Sequence, residues 1–190
     1  MLTLDRNNVM CIDVKGDFVK RSIFVLVLVA VLATGTAFAD YPNNLGIGVK
    51  GGFSGPWGEG DGVFNAALSL KVPNLPIFWG VYLGVPNKEL NIAISGDYYI
   101  FHNQLVPNIN LHWYISVGGE FGLKFGDDNF KLGAGVRFPF GLSWQIEFTS
   151  FPTLEFFLQA VPRLGAYLTP FEFPYGGWGG DIGIRIWLDI

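Results

Sequence analysis

The chain of 190 residues is short of charge, of cysteine and of long apolar runs, and each shortage removes a class of protein. Charged residues make up 15% of it, against roughly a quarter in a typical soluble domain. The one cysteine, Cys11, excludes a disulfide scaffold, and no zinc-ligand or CxxC spacing exists. A pI near 5.0 argues against a nucleic-acid surface. Glycine pairs such as Gly118-Gly119 precede no helix and are not phosphate loops, so no cofactor is expected. What the chain does have is 50% hydrophobic residues, 16% aromatics and 26 glycines. That composition excludes disorder, and the length leaves room for one domain.

The first 39 residues read as an export signal. Lys20-Arg21-Ser22 precede an apolar run from Ile23 to Ala33, and the segment closes in Ala37-Phe38-Ala39. A basic start, a short apolar stretch and a small-x-small site form a secretory signal peptide, expected as a cleavable helix. The run is well under the roughly 20 residues that a membrane-spanning helix needs. Residues 1–18 carry Asp5, Asp13 and Asp17 and do not fit the basic region. Val19 is a candidate start, valine codons serving in bacteria, which would make 1–18 a misassigned extension. The mature domain then spans 40–190 and holds no cysteine.

From Leu45 onward the pattern has period 2, the mark of strands. In Leu111–Phe125, Leu111, Trp113, Ile115, Val117, Phe121, Leu123 and Phe125 oppose His112, Tyr114, Ser116, Gly118, Glu120, Gly122 and Lys124. Phe130–Trp144 and Leu90–Phe101 alternate likewise, the latter placing Ile100 with the apolar set. Leu45–Phe53, Phe64–Val72, Ile77–Val85, Leu154–Tyr167 and Trp178–Leu188 complete eight strands. Turn chemistry separates them, at Pro73-Asn74-Leu75-Pro76 and Phe173-Pro174-Tyr175-Gly176-Gly177 among others. The expected fold is an all-β, eight-stranded, antiparallel up-and-down barrel, closed by pairing of first and last strands.

Polarity decides which face is outside. One face carries Lys50, Lys71, Lys124, Lys131, Arg137, Arg163 and Arg185 together with Asp97, Glu120, Glu155 and Asp181; the other is nearly free of charge. An eight-stranded barrel has an interior only just wide enough for side chains, and eight strands of large apolar groups would overfill it. Glycine, alanine and serine on the charged face suit the narrow interior. A Lys or Arg facing lipid costs about 2–4 kcal/mol near mid-membrane, so the charges belong inside. The barrel is therefore expected to be transmembrane. Export without a stop-transfer helix points to a bacterial outer membrane.

These residues resemble small eight-stranded outer-membrane barrels of the OmpA transmembrane-domain and OmpX type. The alternating end of the chain, Ile182, Ile184, Ile186, Leu188 and Ile190, carries the likeness, although that family ends in an aromatic. The resemblance implies that this strand is read by the barrel-assembly machinery, with periplasmic chaperones and outer-membrane lipid as further partners. Gly135–Leu142 and Leu154–Pro162 also resemble a little-characterised family of short outer-membrane barrels.

Functional expectations follow from charge placement. The interior carries a net +3 and the rims −8. A cationic lumen that binds small anions competes with an internal ion-pair plug, and the plug is the favoured reading because eight strands enclose no continuous aqueous channel. His102 and His112 are the two histidines; a serine hydrolase would need a serine, a base and an acid in contact, but His112 and Glu120 on one strand are separated by about 26 Å, and whether Ser143 or Ser116 comes near across strands depends on the fold. Trp79, Tyr98, Trp113, Trp144, Trp178 and Trp187 read mainly as interfacial girdle and lipid contacts, while Trp57 stands apart in a loop. With a periplasmic amino terminus, Ser54–Val63 and Leu168–Gly177 are the longest outward links. The expected role is structural or surface-interacting, with no enzymatic activity and an unknown surface partner. Alternatives are a secreted lipocalin-like carrier and a lipid-modifying enzyme. N-terminal sequencing of the exported protein is expected to begin at Asp40; a mature chain still carrying Ile23–Ala33 would refute the leader.

Overall fold

A computed structural model describes residues 38–39, 42–56, 62–84, 90–125, 130–169 and 171–189. The signal segment lies outside them save for Phe38–Ala39, a two-residue strand running parallel to Phe101–His102. The strands are β1 (Leu45–Pro56), β2 (Val63–Lys71), β3 (Ile77–Gly84), β4 (Leu90–Val106), β5 (Leu111–Phe125), β6 (Phe130–Arg137), β7 (Phe140–Ile146), β8 (Thr153–Thr169) and β9 (Phe171–Leu188). Apart from β6 and β7, successive strands pair antiparallel, and β9 returns to β1 from Gly177↔Pro56 to Leu188↔Leu45. β6 and β7 are one stave: both pair with β5 on one side and β8 on the other. Eight staves thus close a ring and leave no sheet edge within it.

The break in that stave has a chemical cause. Pro139 has no N–H to give the ladder, yet the register runs on unchanged from Gly118↔Arg137 to Ile115↔Phe140. Ser116 N–H donates to the Pro139 carbonyl at 2.8 Å and Phe138 N–H to the Pro162 carbonyl at 2.9 Å.

Alternation holds as expected, with the oily set outward. Ile115 and Val136 are 38% and 46% exposed, whereas Arg137 keeps 3%. Phe64, Leu68, Val81, Leu158 and Ile182 are also exposed. Such an apolar exterior far exceeds what a soluble monomer leaves in water. It fits hydrocarbon, where a closed barrel satisfies its own backbone.

Three expectations need correction. β4 extends to Val106, with a bulge between Tyr99 and Phe101. The extra residue reverses the phase, so Phe101 faces out and His102 is 2% exposed. Phe173–Gly177 is strand rather than turn, because β8 continues to Thr169 and β9 begins at Phe171. Pro174, without an N–H, falls where the register shifts between Glu172 and Tyr175. Of the expected outward link Leu168–Gly177, residues 168–169 and 171–177 are therefore strand; of Ser54–Val63, residues 54–56 and 63 are strand, and 57–61, with Trp57, lie outside the described residues. Pro73–Pro76 is a turn as expected, with Asn74 left-handed at φ 61° and Leu75 N–H bonded to the Val72 carbonyl.

Inward glycines make room for the charges. A Cβ on Gly118 would lie 2.2 Å from Asp97 Oδ1 and 2.4 Å from the Gly96 carbonyl oxygen. Gly118→Val is expected to abolish refolding into the heat-modifiable gel form, because backbone as well as side chain obstructs the added carbons. Val136→Arg, on the lipid side, is expected to cost about 2–4 kcal/mol in denaturant titration from vesicles, and Val136→Leu almost nothing.

Candidate functional site

The interior is the chemically rich part of the molecule, and it is layered from one end to the other. The closed end is the one that holds the chain links 72–76, 107–110 and 147–152. There Phe78, Tyr99, Tyr114 and Trp187 form a buried cluster. Tyr99 stacks on Phe78 at 4.0 Å and on Tyr114 at 4.6 Å, and Trp187 meets Phe78 edge-on at 6.2 Å. His102 and His112 stack beside them at 4.7 Å. Trp187 is thus a lumen residue, 3% exposed, and not part of an interfacial girdle. Its position between outward Ile186 and Leu188 already carried that signal. Trp144 and Trp178 do face outward.

Next comes Glu155, which takes three charge-assisted or polar bonds. Arg185 Nη1 donates to Oε2 at 2.6 Å, Trp187 Nε1 to Oε2 at 2.8 Å, and Ser143 Oγ to Oε1 at 2.8 Å. Arg185 Nη2 reaches Ser69 Oγ at 2.9 Å, and its guanidinium carbon lies 4.7 Å and 4.8 Å from the rings of Phe78 and Phe157. Aromatic faces thus replace part of the hydration a buried cation loses. Ser143 opposes His112 in register but is fully shielded and held directly by the acid. His112 Nδ1 meets the Asn110 carbonyl at 3.0 Å.

The middle layer centres on Asp181. Gln159 Nε2 donates to its Oδ2 at 2.7 Å and Tyr82 Oη at 3.2 Å, with Lys50 Nζ at 3.6 Å and Arg137 Nη2 at 3.9 Å. Lys50 also donates to Tyr82 Oη. Tyr114 Oη donates to Gln159 Oε1 at 2.9 Å, tying this layer to the aromatic one. Arg137 Nε lies 2.9 Å from Asp97 Oδ1, and Glu120 Oε2 sits 3.8 Å from Arg137 and 3.7 Å from Arg163. Tyr82, Gln159 and Tyr114 were not among the expected site residues; inward parity was the signal that placed them.

Of the eleven expected interior charges, Lys50, Lys71, Asp97, Arg137, Glu155, Asp181 and Arg185 are buried, and among the described residues the contacts above link Lys50, Asp97, Glu120, Arg137, Glu155, Arg163, Asp181 and Arg185. Lys71 instead donates to the Val72 carbonyl at 2.8 Å. Lys124 and Lys131 line the open end, with Lys131 Nζ 4.9 Å from the centre of the Tyr167 ring. That end is a cavity of about 880 Å³ floored by Asp181, Arg137, Glu120 and Tyr82. The ion pairs around Glu155, Asp181 and Glu120 lie beneath it. In the terminal strand, Ile182 is exposed while Ile184, Ile186 and Leu188 are half-buried; Ile190 lies outside the described residues.

A closed antiparallel barrel with an oily exterior and an ion-paired interior is a transmembrane β-barrel. The chain belongs to the family described as "Protein of unknown function (DUF3996)", matched over residues 46–177. No curated protein matches it. Among solved structures it is similar to Neisserial surface protein A, at 14% identity and TM-score 0.44, covering 76% of this chain and 96% of that one. A de novo designed transmembrane β-barrel matches at 17% identity and TM-score 0.38, covering 79% and 99%.

Removing one partner of a buried ion pair leaves a stranded charge, at about 3–5 kcal/mol. Glu155→Ala is expected to lose that much in urea unfolding from detergent, whereas Glu120→Ala, at the wetter floor of the cavity, is expected to lose clearly less.

Proposed function

We propose that the protein is a small integral protein of a bacterial outer membrane whose barrel is sealed at one end and does not conduct. The observation that carries this is the inverted polarity: the apolar side chains are exposed while Lys50, Asp97, Arg137, Glu155, Asp181 and Arg185 are buried. The stacked aromatics and the Glu155 cluster fill the closed half, which supports a lumen without a through-path. The role read from this is structural, or contact with a surface partner through the exposed links. Outer-membrane lipid, periplasmic chaperones and the barrel-assembly machinery are the partners during its life. Against an enzymatic reading stands Ser143, the serine nearest a histidine in register, which is shut away from solvent and bonded straight to Glu155.

The mature protein is expected to need detergent, to run differently on gels before and after boiling, and to fractionate with the outer membrane. Solubility without detergent would instead favour a secreted carrier. In planar bilayers it is expected to give no steady current; a persistent anion-selective conductance would refute the sealed half.

A further inference from the structure

β4 is longer than the ring around it needs. β3 begins at Ile77, opposite Tyr98, so residues 99–106 of β4 run past it at the closed end. On the β5 side this overhang is laddered, from Tyr99↔Ser116 to Val106↔Leu111. Its other side is a strand edge, whose N–H and C=O groups are a ready template for an added strand. Among the described residues, the strand seated on that edge is Phe38–Ala39, running parallel with Phe38↔Phe101 and Ala39↔His102.

The seated pair belongs to the export signal, whose cut is expected after Ala39. Processing therefore vacates this part of the edge, while the ring, closed between Leu45 and Leu188, keeps every stave. What precedes β1 is held elsewhere. Asn43 Nδ2 donates to Asn74 Oδ1 at 2.9 Å, and the Asn74 N–H donates to Asn43 Oδ1 at 2.8 Å, at the turn between β2 and β3.

Side chains give the seat a selectivity. Phe101 is exposed, its ring 6.4 Å from that of Trp113 and nearly parallel to it, and Leu105, Val106 and Ile109 are exposed at the same end. His102 is buried, stacked on His112 and tilted against Tyr99 and Tyr114. Successive residues of a strand point to opposite faces. An incoming strand thus sets one residue on the aromatic shelf and the next against packed rings. The first place favours a large apolar side chain and the second a small one. Phe38-Ala39 has that order.

We propose that the overhang of β4 is a strand-acceptor site. The barrel's own leader fills it before processing. In the mature protein, an extended segment of a partner chain, a large apolar residue followed by a small one, adds there parallel to β4. Main-chain hydrogen bonds supply the affinity and the two side-chain places the selectivity. Such a site needs the leader removed, but neither a sealed lumen nor a particular membrane.

Two forms are refolded in detergent, one beginning at Asp40 and one retaining residues 19–39, with folding checked by gel mobility before and after boiling. The probe is a fluorescein-labelled synthetic peptide of residues 34–39, followed by anisotropy. It is expected to bind the Asp40 form saturably and the longer form at least tenfold more weakly, because the longer form fills its own edge. Methylating the backbone nitrogens of Phe38 and Ala39 in the peptide, or Ala39→Trp, is expected to weaken binding at least tenfold. Residues 40–190 hold no cysteine, so disulfide trapping reads the register. Adjacent strands lie about 4.8 Å apart, within the roughly 4.4–6.8 Å that a disulfide spans between Cα atoms. A peptide with Phe38→Cys is expected to trap on Phe101→Cys and not on Ile115→Cys, which has Phe101 and Phe140 on its two sides. Equal binding by the two forms, undiminished binding of the methylated peptide, or equal trapping at 101 and 115 would overturn the proposal.

Discussion

Carboxylates are scarce inside this cylinder, and that scarcity organises the rest. Seven basic side chains point inward against four acidic ones, in a space walled by lipid on all sides. An unpaired charge there would be costly, and three of the four acids are shared. Asp181 serves Lys50, Tyr82, Gln159 and Arg137; Glu155 serves Arg185, Trp187 and Ser143; Glu120 stands between two arginines. Glycine at the facing positions is what lets strands carry such long side chains in so narrow a bore. The Cβ that Gly52 lacks would sit 2.4 Å from Asp181 Oδ1, and that of Gly80 would crowd Tyr82 and Ser95.

The sharing is uneven along the axis, and the molecule gains two different halves from it. Toward the end where β1 begins and β9 finishes, aromatic rings add to the acid: Arg185, bonded to Glu155, also rests among Phe78, Phe157 and Trp187. At the other end the bore stays open, with Lys124, Lys131, Arg137, Arg163, Glu120 and Asp181 among its described lining. One half acts as a rigid stopper and the other as an open cup.

Much of this was legible from residue parity, since a period of two tells inside from outside wherever the ladder is regular. Lys50, Lys71, Asp97, Arg137, Glu155, Asp181 and Arg185, all buried, were placed on one face in that way. Parity fails at a bulge: between Tyr99 and Phe101 the neighbours are all large and apolar, so no polar marker reveals the added residue, and His102 was not assigned to the lumen. It fails again when composition overrules it, as at Trp187, whose size suggested an interface while its phase pointed inward. Local turn chemistry at Phe173–Gly177 yielded to pairing with β8, a tertiary effect. Which acid meets which base was beyond the linear pattern altogether. Glu155 and Arg185 are 30 residues apart and meet only because β8 and β9 hold one particular register.

Pro139 and Pro162 bear on how those halves are joined. Each lacks a backbone donor, and they stand nearly side by side, with the Phe138 amide reaching across to the Pro162 carbonyl. Two rungs are thus missing from adjacent ladders at about the height where stopper gives way to cup. Between these staves the pair makes a seam, and strain arising at the mouth would be absorbed there before it reached the stacked rings beneath.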